Sequence, residues 1–359
     1  MKMNMRYIIL LGIGITHGIL TSRCDCEKKV RRKPAIHSRN VSLVNGDIKL
    51  SPYALSPLTL CEAMRKTTQS VKTEQDDIAP ANEQQRSFLD KQYLPYVKEK
   101  LFSFFSTEEL QSYASRNYKE LNKILKSKGF SLQFPQFPRT QIGVLAIQDV
   151  LVKWLLEGTK EPLLVGDATY DAVMLKADVV REGEQAGQQN VHFFAQDPQA
   201  TVIVKLLTQS KDCVYFVTQR NGDLFAAQPN EAAIAEAIMK YSKHVTAGTY
   251  AQSDRFNSLH FPMISYDVNP DVSWLERMRI GTTYVAQAMQ QVIFKMNEKG
   301  ARAKAAAGLI VATSFLEENP KERLIIDRPF LVWIERPGVP LPIFAGYMTQ
   351  SYWKNPGVL

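Results

Sequence analysis

Asn297-Glu298-Lys299-Gly300-Ala301-Arg302-Ala303-Lys304-Ala305-Ala306-Ala307-Gly308 is the stretch on which the reading of this chain turns. It follows a strand-like run, Val292-Ile293-Phe294-Lys295-Met296. Alanine is the best helix former, so a short helix or an Ala-rich linker is the simplest reading. Two features favour extended chain instead. Gly300 opens the run without a capping box after it, and the small residues alternate with period two. Ala301, Ala303, Ala305 and Ala307 then share one face of a strand, and Arg302, Lys304, Ala306 and Gly308 share the other. The small face can enter a packed sheet without steric cost, and the charged residues keep the segment soluble outside it.

Working outward, Leu324-Ile325-Ile326 and Phe330-Leu331-Val332-Trp333-Ile334 are near-continuous apolar runs, as expected of strands covered on both faces. Asp171 to Leu175, Thr201 to Leu206 and Cys213 to Val217 are short β-branched and aromatic runs bounded by polar turns. Ser56 as cap and Pro57 at the first helical position predict a helix to Lys66, followed by a polar loop over 67–87. A helical pattern runs from Gln85 to Lys128 and stops at Gly129, and Pro135 and Pro138 mark a turn region. Further helices are predicted from Ile147 to Glu157 and from Asn230 to Tyr241, the latter after the Asn221-Gly222 turn. Helices first and strands later, without an internal repeat, predict one α+β domain.

The hinge-like stretch resembles that of the serpin family, an Asn-Glu-x-Gly motif followed by small residues. Asp327-Arg328-Pro329-Phe330-Leu331-Val332-Trp333-Ile334 and Pro342-Ile343-Phe344-Ala345-Gly346-Tyr347 resemble that family's closing strands. Leu259 to Ser265, Trp154 to Thr159, Asp171 to Lys176 and Ser56-Pro57-Leu58-Thr59-Leu60 also resemble its segments, with Ser51-Pro52 a rival register for the last. The resemblance covers residue 45 to the end, strongest after 145 and weakest between 65 and 140. It implies a single domain with a large central β-sheet, smaller sheets, a helical N-terminal half and an exposed reactive-centre loop at about 300–323.

The resemblance also implies a protease trap, with a serine or cysteine protease as partner. The loop is cut as bait and then inserts as a new strand, hinged at Glu298, Gly300, Ala301, Ala303, Ala305 and Ala307. Spacing carried forward from Glu298 puts the reactive bond at Ser314-Phe315; counting back from Pro329 puts it near Glu318. Ser314 suits an elastase-like or subtilisin-like pocket, and Phe315 a chymotrypsin-like one. Arg323 would recruit a trypsin-like enzyme but lies far from the hinge. Asp171, Gln290, Ser56 and Thr59 are expected where the sheet opens, with Gln290 and Asp171 as the bonded pair. Val179 stands where the family carries a tryptophan. These departures fit equally a relative that binds without inhibiting.

Composition narrows the alternatives. The 359 residues are 45% hydrophobic and 22% charged, enough for a large core and incompatible with wholesale disorder. Mean hydropathy of −0.21 and a lone long apolar stretch exclude a multi-span membrane protein. Of the net charge of +8, nearly all lies at the start: residues 1–50 hold ten Lys and Arg against three acidic residues, and the other 309 hold 34 against 33. A neutral folded part argues against nucleic acid as a partner.

Lys2 and Arg6 before the apolar run Tyr7–Thr21 resemble a secretory leader, so residues 1–24 are expected as a signal-like segment and 25–44 as a basic linker. Residues 45–359 are expected as the domain. The protein is expected to be secreted or extracytoplasmic and monomeric, touching a membrane only through an N-terminal anchor such as a lipid on Cys24. Cys61 and Cys213 are expected to be buried thiols, and no Cys/His cluster suggests a metal. No enzyme motif is present, and no cofactor is expected. The four tryptophans read as core, and Lys119, Lys123, Lys126 and Lys128 as a solvated helix face in preference to a polyanion site.

Overall fold

In a computed structural model the described residues are 2–14, 54–55, 57–74, 77–179, 188–195, 201–210, 212–246, 250–298 and 322–357. The strands used below are β1 (Lys2–Gly14), β2 (Leu110–Ser115), β3 (Ile142–Lys153), β4 (Ala172–Lys176), β5 (Val191–Ala195), β6 (Thr201–Leu207), β7 (Cys213–Gln219), β8 (Phe256–Pro262), β9 (Ile264–Val268), β10 (Thr283–Met296), β11 (Glu322–Ile325), β12 (Phe330–Glu335) and β13 (Phe344–Met348). The helices are α1 (Pro57–Val71), α2 (Tyr118–Ser127) and α3 (Glu231–Thr246), with short helical segments at 83–98 and 101–104.

The central sheet runs 78–79, 279–280, β10, β1, β3, β2, with β9 also on the outer edge of β10. A second sheet runs 251–252, β5, β6, β7, β12, β13, 54–55, and a third β11, β8, β4, 159–160. This is the mixed, multi-sheet α+β fold expected.

β3 corrects one expectation. The sequence predicts a helix from Ile147 to Glu157, and the chain there is a strand to Lys153 followed by buried Trp154. The cause is burial on both faces. Val144, Ala146, Val150 and Val152 enter the main core, and Leu145 and Ile147 enter a smaller cluster with Leu121 and Leu125 of α2. From Ile142 to Ile147 the run has no polar side chain and so carries neither period. The helical stretch over 85–128 is likewise interrupted by β2, an edge strand paired antiparallel with β3. Of the late apolar runs, β12 is buried from Phe330 to Ile334, but β11 is an edge strand whose Ile325 is exposed.

α1 lies on the central sheet. Its first two turns, Pro57 to Met64, are buried all round, because the sheet floors them and the 94–98 helix packs alongside. Only Glu62 is charged in that stretch. Its carboxylate, 3% exposed, accepts two hydrogen bonds from Arg65 at 2.7 Å, one from Tyr96 Oη at 2.8 Å and one from Ser112 Oγ at 2.6 Å. A buried carboxylate is tolerated only with this degree of satisfaction. Burial and the neighbouring Glu62 charge push the Tyr96 phenol up.

A second charged cluster ties distant parts of the chain together. Arg336, just after β12, reaches Asp212 at 2.8 and 2.9 Å, Glu109 at 2.7 and 3.1 Å and the Phe104 carbonyl at 2.9 Å. Its guanidinium also lies 4.6 Å from the Phe105 ring centroid. α3 covers the outer face of the second sheet, where Tyr215 and Trp333 stack with centroids 4.9 Å apart.

Cys61 is buried, and Cys213 only half-buried. Trp154, Trp333 and Trp353 are core residues, with Trp274 packed at its margin. Lys119, Lys123 and Lys126 are exposed, consistent with a solvated face.

Candidate functional site at the opening of the central sheet

The longest strand, β10, leads straight to the hinge-like stretch. Its period-two pattern separates two faces. Ala288, Val292, Phe294 and Met296 join the core beneath α1, and Met289 and Ile293 join the cluster under α2. Gln290 and Gln291 sit side by side in this strand and face opposite ways.

On the α1 side, Gln290 is 3% exposed and its Nε2 lies 3.4 Å from Thr59 Oγ1. On the other side, Gln291 Nε2 donates to Asp267 Oδ1 at 2.7 Å and Ser131 Oγ at 2.9 Å, while its Oε1 accepts from Leu132 N at 2.9 Å. Gln291 thus clasps β10 to β9 and to the loop after α2. Sequence reading missed it because a lone amide in a strand gives no motif.

The end of β10 is fixed. Asn297 and Glu298 are both buried; Asn297 Nδ2 donates to the Gly357 carbonyl at 3.1 Å, and Glu298 pairs with Lys160 Nζ at 3.1 Å. Lys160 is largely exposed, so the pair ties buried Glu298 to the surface. Gly300, Ala301, Ala303, Ala305, Ala307, Ser314, Phe315 and Glu318 lie outside the described residues, as does Ser56. The chain resumes in β11, which runs parallel to β8, and Arg323 pairs with Glu161.

Thr59 and Gln290 are therefore brought together, but Asp171 is not. It stands exposed at the start of β4 in the third sheet, where its carbonyl accepts from Met263 N. The expected Gln290–Asp171 pair is corrected: the Gln290 amide is directed at Thr59. The polar residue on the opposite wall of the opening is Gln148 of β3. It is 0% exposed, on the same face as Val144, Ala146 and Val150 beneath α1, and neither amide atom has a hydrogen-bond partner. The signal for it in the sequence is one glutamine inside the apolar run Gly143–Val152.

Val179 lies away from the central sheet. It belongs to a two-residue strand paired with 188–189, whereas Trp154, at the end of β3, is buried edge-on against Phe261 with centroids 6.2 Å apart.

The feature not foreseen is β1. The expected leader segment pairs on both sides, Asn4–Gly14 with Tyr284–Lys295 of β10 and Lys2–Ile13 with Ile142–Lys153 of β3. Both pairings are antiparallel, with a register shift at Gly12/Ile13 on the β10 side.

Among the described residues there is no cluster of His, Cys, Asp and Glu suited to a metal ion, and no helix long and apolar enough to cross a membrane.

A model of the family described as Serpin (serine protease inhibitor) matches residues 265–351, from β9 through the closing strands. Human glycosylated kallistatin matches in structure with a TM-score of 0.50 at 10% identity, over 84% of this chain and 92% of that one. Mouse protein-Z dependent protease inhibitor matches with a TM-score of 0.50 at 13% identity, over 83% of this chain and 90% of that one. No curated protein matches the sequence. The C-terminal strands thus carry the serpin family's own sequence pattern, and the fold is similar to that of the solved serpin structures.

Proposed function

We propose that the protein is an exported inhibitor of serine-type proteases that acts as a suicide substrate. In this reading residues 300–323 are the bait. The protease nucleophile attacks the Ser314 carbonyl carbon, the Ser314–Phe315 peptide bond breaks, and the new Phe315 amine leaves with a proton supplied by the protease. An ester, or a thioester for a cysteine protease, then joins the protease to Ser314. The freed segment hinged at Glu298 to Ala307 enters the central sheet beside β10 and carries the protease with it. Residues 1–24 direct export, and Cys24 is the candidate lipid site.

The observation that carries this reading is the continuity of β10 with the hinge. Met296 at its end and Asn297 and Glu298 after it are buried and anchored, and the sequence that follows alternates small residues with period two. A strand fixed up to residue 298 and followed by such a segment can be extended by folding back on itself. The mouse structure of similar fold carries the description of a protease inhibitor, which also supports it.

A second reading is a non-inhibitory binding protein on the same scaffold. The occupied opening favours it, since β1 already pairs where an inserting strand would go.

The two separate in one assay. The chain, with and without residues 1–24, is mixed with elastase, subtilisin, chymotrypsin, trypsin or a papain-like protease and then denatured in SDS. A complex that survives denaturation, with its cut at Ser314–Phe315, is expected. Clean cleavage with no such complex for either chain would establish the second reading.

A further inference from the structure

The pairing of β1 defines a slot one strand wide between β3 and β10. Both walls are antiparallel to β1, so they run parallel to each other. A chain leaving β10 at Met296, turning within 297–300 and running back along β10 would also be antiparallel to it. It would enter at the level of Lys295, where Asn4 now sits, and proceed in the direction of β1. Strands in a sheet lie about 4.8 Å apart, so one slot holds one strand. The N-terminal strand and a returning hinge strand therefore exclude each other.

We propose that residues 2–14 are a built-in plug of the central sheet, a bound segment that occupies the insertion slot and holds the molecule in a locked state until it is displaced or removed. The inference rests on the inhibitor reading for its consequence, blocked trapping, but not for the plug itself.

Three observations support a slot with alternative occupants. Backbone pairing runs along both sides of β1, so the facing edges of β3 and β10 are covered while it is in place. Yet Gln148, opposite Tyr7 in register, is buried with its amide unsatisfied. A buried amide without partners is unfavourable. Its presence in a wall otherwise lined by Val144, Ala146 and Val150 suits a residue satisfied in another arrangement of the same strands. The register shift at Gly12/Ile13 adds a local irregularity to the β10 side of the ladder, where displacement can begin.

The test begins with the full chain. Hydrogen exchange read by mass spectrometry is expected to give residues 4–13 protection comparable to β3 and β10; exchange at the rate of unstructured peptide would overturn the proposal. Ile9→Pro in the full chain removes a donor from a central strand and is expected to release the plug. The released chain should melt at lower temperature, and a synthetic peptide of residues 2–14 should restore the melt. Trapping of the reactive protease should rise about tenfold or more and fall again with added peptide.

Ile9→Pro with unchanged exchange, melt and trapping would overturn the plug. If the released chain binds the peptide and is stabilised, but no form traps a protease, the plug stands and the inhibitor reading fails. If residues 4–13 exchange freely and the full chain traps as well as Ile9→Pro, the plug fails and the inhibitor reading stands.

Discussion

At the scale of single residues, buried polar groups decide how the sheet and its covering helix hold together. Glu62 holds α1 to Tyr96 and to Ser112 of β2 through one hydrogen bond each and takes two more from Arg65 of its own helix. Glu62→Ala removes a buried charge partner from Arg65 and is expected to cost about 3 kcal/mol, read as a lower denaturant midpoint. Gln148 is the opposite case, a buried amide with nothing to bond. Gln148→Leu is expected to stabilise the full chain by about 1 kcal/mol in the same measurement. The Arg336 cluster gives a pH dependence. Burial raises the Glu109 carboxyl, but Arg336 and the Ser106 backbone outweigh it and hold the group below its ordinary 4.5. A depressed folded value means the stabilisation is full above the unfolded value and is lost as pH falls through the folded one. Thermal unfolding should therefore shift down below about pH 4.5, and Arg336→Met should flatten that dependence while lowering stability at neutral pH.

At the scale of elements, close approach of helix to strand fixes α2 on β3. A Cβ added at Gly143 would lie 2.5 Å from Leu121 Cδ1 and 2.9 Å from Phe137 Cζ. Gly143→Ala is expected to cost about 1–3 kcal/mol, measured by chemical denaturation, with Leu121→Ala partly restoring it. The same strand explains why the sequence misleads here. Its residues are apolar on both faces because α1 and α2 cover opposite sides, so the pattern carries no period and a helix is read where a strand forms. α1, α3, β6, β7 and β12 are legible because each has a one-sided pattern, a cap or a β-branched run of the right length.

At the scale of the whole molecule, the N-terminal strand β1 stands between β10 and β3 in the central sheet. Under the inhibitor reading, nicking the 309–320 loop of a chain whose slot is open should raise its melting temperature markedly, because a new central strand completes the sheet. The same nick in the full chain should leave the melt unchanged, because β1 holds the slot. Differential scanning calorimetry of the two forms, each before and after cleavage, measures this.

The sequence by itself determined the hinge signature at 297–307, the closing strands, the α+β class and the family they resemble. These are local patterns, written in the spacing of neighbouring residues. Only the tertiary structure decided that β3 is a strand, that Gln148 and Gln291 stand on the two strands flanking β1, and that Asp171 lies in another sheet. The placement of residues 2–14 was also beyond local reading. An apolar run after two basic residues reads as a leader, and hydropathy alone specifies no strand partner for it. Two long strands separated by one strand's width supply that partner, and backbone pairing on both edges makes the run a strand. Such choices depend on residues more than a hundred positions apart, which periodicity cannot register.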